Sequence, residues 1–126
     1  MTKITSNPDC GNSPKMEFLK KFNIAFATGD IEFMIDSVSD DIVWEIIGDR
    51  KIEGKEKFTQ YLEEIKSIET DELVIDHILS HGKEEGAASG IMKTKGGKKY
   101  AFADFYTFSG AKGATIKSFT SYVIEL

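Results

Sequence analysis

The sequence predicts an α+β domain in which a curved antiparallel sheet wraps around three helices as a cone and encloses an apolar pocket. Two observations carry this expectation. Before residue 70, apolar side chains recur at spacings of three and four; after Thr70, runs of about ten β-type residues are separated by glycines. Helices precede strands instead of alternating with them, and no GxGxxG or P-loop pattern is present, which argues against a parallel Rossmann-type sheet.

Ser13-Pro14 reads as an N-cap followed by proline at the first helical position, where its missing N–H leaves nothing unpaired. Phe18, Leu19, Phe22, Ala25 and Phe26 then fall on one helical face, and Gly29 supplies a left-handed stop. Asp30 caps a second helix bearing Ile31, Met34, Ile35 and Val38, ended by Ser39-Asp40-Asp41. Ile42 to Ile47 is β-branched and aromatic, hence a strand with Ile42, Trp44 and Ile46 on one face. A polar loop, Gly48 to Gly54, precedes a third helix with Phe58, Tyr61, Leu62, Ile65 and Ile68 in its stripe. The remainder reads as a four-stranded meander broken at Gly82 to Gly86, Gly96-Gly97 and Gly110 to Gly113. Gly96-Gly97 predicts a two-residue type I′ hairpin, whose central residues both need positive φ.

A length of 126 residues suits one domain, assigned to residues 14–126, with residues 1–13 as a flexible tail. Sixteen basic and twenty-one acidic side chains leave a charge of -5 with no basic stripe, which argues against nucleic acid. Lys93, Lys95, Lys98 and Lys99 flank a turn and read as solvated hairpin ends. No apolar run is long enough for a signal peptide or membrane span. Cys10 is the single cysteine, so no internal disulfide forms; a cytoplasmic location is expected, and thiolate catalysis has no histidine partner. His77 and His81 stand roughly 13 Å apart on an extended strand, too far to share one ion. Neither a metal nor a cofactor is expected.

The order helix, helix, strand, helix and four long antiparallel strands accompanies three local phrases. These are Thr28-Gly29-Asp30-Ile31-Glu32, Ser39-Asp40-Asp41-Ile42-Val43-Trp44-Glu45 and Ile52-Glu53-Gly54-Lys55-Glu56. Together they resemble the nuclear transport factor 2-like superfamily, especially its SnoaL-like branch, across residues 14–126. That superfamily includes ketosteroid isomerase-like enzymes, polyketide cyclases, epoxide hydrolases, dehydratases and non-catalytic binding modules, so fold alone does not give function. The resemblance puts the isomerases' general base at Ile46, their oxyanion tyrosine at Phe22 and their protonated oxyanion aspartate at Asp104. Only the last of these keeps its functional group.

Strand alternation puts Asp104 on one face with Tyr100, Phe102, Tyr106 and Phe108, a carboxyl group among rings. Burial there would raise its pKa and make it a neutral donor or a general base; alternatively it satisfies an interior hydroxyl or N–H. Trp44, Phe22, Phe26, Phe58, Leu62, Phe102 and Phe119, with Ile46 and Tyr106, are expected to wall the pocket, or to be ordinary core. His77 shares alternation with Leu73, Ile75 and Leu79 and is a candidate partner for Asp104, or else a satisfied sheet histidine. Ser118, Thr120, Tyr122, Ala101, Ala103, Phe105 and Thr107 form the outer sheet face, expected to make a homodimer or else to be solvated. Two functions fit. One is an enzyme acting on a small apolar carbonyl or cyclic molecule through Asp104; the other is a non-catalytic ligand-binding or dimerisation module.

Overall fold

The computed structural model describes residues 2–11, 13–109 and 115–126. Its elements in chain order are β1 (Lys3–Ser6), α1 (Pro14–Thr28), α2 (Ile31–Asp36), β2 (Val38–Ile46), β3 (Arg50–Glu53), α3 (Lys55–Ile65), β4 (Thr70–His81), β5 (Glu85–Thr94), β6 (Lys99–Phe108) and β7 (Ile116–Glu125). The strands form one curved, open sheet in the order β1-β4-β5-β6-β7-β2-β3. Helix α1 packs on β4 and β5, α3 packs on β2 and β3, and α2 bridges the two helices. The core between these layers holds Leu19, Ile42, Phe58, Ile75 and Ile116, all removed from solvent.

Helix α1 begins as its sequence dictates. Ser13 accepts a hydrogen bond from the Met16 N–H at 3.2 Å, and Gly29 ends the helix at a φ of 78°. Asp30 likewise caps α2 through the Phe33 N–H at 3.2 Å. Helix α2 stops at Asp36, earlier than its apolar spacing predicts, and Val38 to Asp41 belong to β2. The parallel partner β7 captures this stretch: Val38 faces Ile116, and the Ile116 N–H donates to the Ser37 carbonyl at 2.8 Å. Burying both side chains outweighs the helical preference of so short a segment.

Four further expectations are corrected. Within the leader read as a flexible tail, Lys3–Ser6 forms β1, parallel to β4, because the edge of β4 needs backbone partners and Ile4-Thr5 suit a strand. The segment read as the polar loop Gly48 to Gly54 contains β3. The chain reverses at Gly48, with a φ of 79°, and Ile52 pairs with Trp44 in the core. The sheet is therefore mixed, with parallel pairs β1–β4 and β2–β7 beside the antiparallel meander. At the β5–β6 hairpin Gly97 alone takes positive φ (88°), and the Thr94 N–H donates to the Lys98 carbonyl at 2.9 Å. This is the three-residue bulged hairpin, not the type I′ turn, because one left-handed residue suffices for it. The turn expected at Gly110 to Gly113 lies outside the described residues. Among the described residues, no helix is long and apolar enough to cross a membrane.

Strand β4 carries the irregularity that matters most for the site. Its register against β5 shifts between Ile75 and His77, so the inward series Leu73, Ile75 continues at Ile78. Gly90 faces Ile75 at this bulge, and a side-chain carbon there would overlap the Val74 carbonyl oxygen. Gly90→Ala is expected to lower the unfolding free energy in urea by about 1–3 kcal/mol, the range for overpacking. An unchanged urea midpoint would show that the bulge yields freely.

Candidate functional site

The concave side of the sheet and the three helices enclose a cavity of about 520 Å3. Its floor is set by register. Trp44 on β2, Phe119 on β7 and Tyr106 on β6 stand in one row across three strands. Their rings stack, Trp44 on Phe119 at 4.8 Å and Phe119 on Tyr106 at 5.3 Å between centroids. Phe22 of α1 closes edge-on against Tyr106 and Phe119 at 6.0 and 5.7 Å. One row nearer the mouth come Asp104, Ser121 and Ile46, again in register, with Phe102 and Val123 in the row beyond. Phe26, Leu62 and Tyr61 complete the helical wall.

Of the residues singled out from sequence, Phe22, Phe26, Trp44, Ile46, Leu62, Phe102, Asp104, Tyr106 and Phe119 line the cavity. Phe58 does not. It is sealed at 0% exposure behind Trp44, 5.8 Å from its ring, and supports the wall instead of forming it. His77 is displaced from the cavity by the bulge in β4: it is exposed, shares a 3.3 Å hydrogen bond with Ser89 and cannot serve Asp104. Leu79 is turned out with it. His81 is also exposed.

Two polar members of the wall escaped the sequence reading. Ser121 stands two residues beyond Phe119, so strand alternation marks it as inward-facing. Asn23 is buried beside Phe22 and carried no sequence signal beyond adjacency to an apolar stripe. Its amide donates to the Leu19 carbonyl at 2.9 Å and to the Tyr106 hydroxyl at 3.2 Å.

These groups converge on Asp104. The Tyr106 hydroxyl donates to its Oδ2 at 3.2 Å, and Ser121, its cross-strand partner, accepts from the Trp44 indole N–H at 2.8 Å. Burial lifts the Asp104 pKa from 3.8 to about 6, while the hydrogen bonds from Ser121 and Tyr106 hold it down. Part of the residue's surface still faces the cavity, so the carboxyl is reachable from within it. Tyr106 stays protonated, because burial and the neighbouring carboxylate push its pKa well above 10. At the mouth, burial also raises Tyr61, whose ring lies 4.8 Å beneath the Arg50 guanidinium.

A cone-like sheet, three helices and this walled cavity accompany a sequence match: residues 19–115 correspond to the SnoaL-like domain. The chain belongs to the SnoaL-like domain family. Solved structures share its fold. An NTF2-like protein of unknown function from Cytophaga hutchinsonii is 23% identical, with 87% of this chain and 99% of that chain covered at a TM-score of 0.66. The epoxide hydrolase/cyclase-like enzyme SalBIII, described in pyran ring formation in salinomycin, is 14% identical, with 87% and 90% covered at a TM-score of 0.74. An epoxide hydrolase of M. tuberculosis is 18% identical, with 87% and 82% covered at a TM-score of 0.69. No curated protein sequence matches the chain.

The Asp104 carboxyl gives this SnoaL-like domain a definite pH signature. Its folded pKa lies above its unfolded value, so the native state binds more protons between about pH 4 and 6, and stability falls as pH rises through that window. The loss from this group is on the order of 2–3 kcal/mol. Carboxyl carbon NMR should show Asp104 titrating near 6, and Asp104→Asn should flatten the fall in unfolding free energy. A midpoint near 4 would show the carboxyl to be solvated.

Proposed function

We propose that this SnoaL-like protein binds a small, mostly apolar molecule in the cavity and transforms it by proton transfer through Asp104, as an isomerase-, cyclase- or hydratase-type enzyme. The observation that carries the reading is the Asp104 carboxyl on an aromatic wall, hydrogen-bonded by the Tyr106 hydroxyl and poised near pH 6. At neutral pH the carboxylate takes a proton from the bound molecule in one step and returns it in the next, ending as it began. The apolar wall supplies shape selection and excludes water. Neighbours of epoxide hydrolase and cyclase type support a reaction of this class, though at their identities they share only the fold.

A non-catalytic binding module is the second reading. It is favoured by Ile46 and Phe22, which occupy cavity positions where the isomerase resemblance calls for a base and a hydroxyl donor. Asp104→Asn decides between the two. Loss of turnover with a melting temperature within a few degrees of wild type is expected for the enzyme; thermal shifts on ligand binding with no substrate consumption at all would establish the module.

The outer sheet face supports a homodimer. Phe105 is 56% exposed and Ile124 66% exposed, Phe105 meets Tyr122 edge-on at 6.0 Å, and Ala101 and Ala103 lie between them. Apolar patches of this kind are seldom left bare on monomers. Composition supports a cytoplasmic location, since one cysteine permits no internal disulfide. Phe105→Glu is expected to convert the dimer to monomer in size-exclusion chromatography with light scattering; a wild-type protein that runs as a monomer would remove the proposal.

A further inference from the structure

The closed end of the cavity has a hydrogen-bond polarity that follows from counting protons. Asn23 has two N–H donors, and both are committed, to the Leu19 carbonyl and the Tyr106 oxygen. The Leu19 carbonyl can only accept, which fixes the orientation of the amide and leaves the Asn23 Oδ1 as its free group. With Asn23 donating to it, the Tyr106 hydroxyl turns its own hydrogen to Asp104. The indole of Trp44 is donor-only, so Ser121 must accept from it; Ser121 is the cross-strand partner of Asp104, and its hydroxyl favours the ionised carboxyl. The donors of Asn23, Tyr106 and Trp44 therefore all point to protein acceptors, and the backbone N–H groups of these inner strands belong to the ladders.

A carboxylate has roughly four acceptor sites, and the Tyr106 hydroxyl uses one of them. The neighbours of Asp104 on its own strand, on β5 and on β7 are Tyr106, Ala88 and Ser121, and Asn23 reaches Tyr106 from α1; none carries charge near neutrality. With its midpoint near 6, the carboxyl is mainly ionised at neutral pH.

We propose that the closed end selects an apolar molecule bearing a hydrogen-bond donor, a hydroxyl or neutral N–H, and discriminates against one whose only polar group is a carbonyl. The inference deepens the cavity-binding reading and rests on it. A hydroxyl donates to the free sites of Asp104, whereas a carbonyl oxygen would meet acceptors alone and lose its hydration without compensation. Protonating Asp104 adds one donor and reverses the preference.

The test uses indanol, indanone and indane, one apolar skeleton carrying a hydroxyl, a carbonyl or neither. Binding is followed by calorimetry and by the indole N–H resonance of Trp44, the chain's single tryptophan. At about pH 7.5, indanol is expected to bind at least roughly tenfold more tightly than indanone, the scale of one hydrogen bond to a charged group. At about pH 5 the ratio should fall below one, and in Asp104→Asn, whose amide offers both donor and acceptor, the pH dependence should vanish. Should the variant fail to fold, the wild-type pH reversal alone decides. Indanone binding as well as indanol at pH 7.5 would overturn the polarity while leaving the cavity as a binding site. If none of the three binds, indane included, the cavity-binding reading fails and this one with it.

Discussion

The stack of Trp44, Phe119 and Tyr106 across β2, β7 and β6 is the contact on which the rest of the molecule depends. It ties Trp44 on the early strand β2, which lies parallel to β7, to rings more than sixty residues later in the chain. Three aromatic rings bury a large area, and offset stacking adds about 0.5–1.5 kcal/mol per pair beyond area alone. The same row sets the depth of the cavity, because the next row toward the mouth is the one that holds Asp104 and Ser121. Packing energy and site geometry are here one arrangement.

From that floor follows the electrostatics of the site. An ionised carboxyl among rings is costly, and this one persists because the Tyr106 hydroxyl turns toward it, directed by the Asn23 amide behind it, with the Ser121 hydroxyl across the strand pair. Trp44 thus acts twice, as a ring in the stack and as the N–H that directs Ser121. Burial and hydrogen bonding pull the Asp104 pKa in opposite directions, and burial wins, leaving it at about 6. The result is a group that changes charge close to physiological pH without any charged neighbour acting on it.

The two faces of the sheet differ in what they present. Strand alternation sends Tyr100, Phe102, Asp104 and Tyr106 into the cavity, and Ala101, Ala103 and Phe105 outward. The bulge in β4 breaks that alternation once, placing Ile78 inside and turning His77 and Leu79 out. One inserted residue therefore removes an imidazole from the cavity and adds Leu79 to the outer surface.

Caps, apolar periodicity and glycine breaks act over a few residues, so α1, α3, the stop at Gly29, the four late strands and the face of Asp104 were legible from residue order alone. Tertiary structure decided what depends on distant partners. Segment Val38 to Asp41 became strand because β7 offered it a ladder, Lys3–Ser6 because the β4 edge was open, and Arg50–Glu53 because Ile52 found the core beside Trp44. The exile of His77, the retreat of Phe58 behind Trp44 and the inward turn of Asn23 and Ser121 share that cause. A local pattern fixes which way a side chain faces along its own element, but only the register between elements fixes which neighbours, hydrogen bonds and solvent it meets.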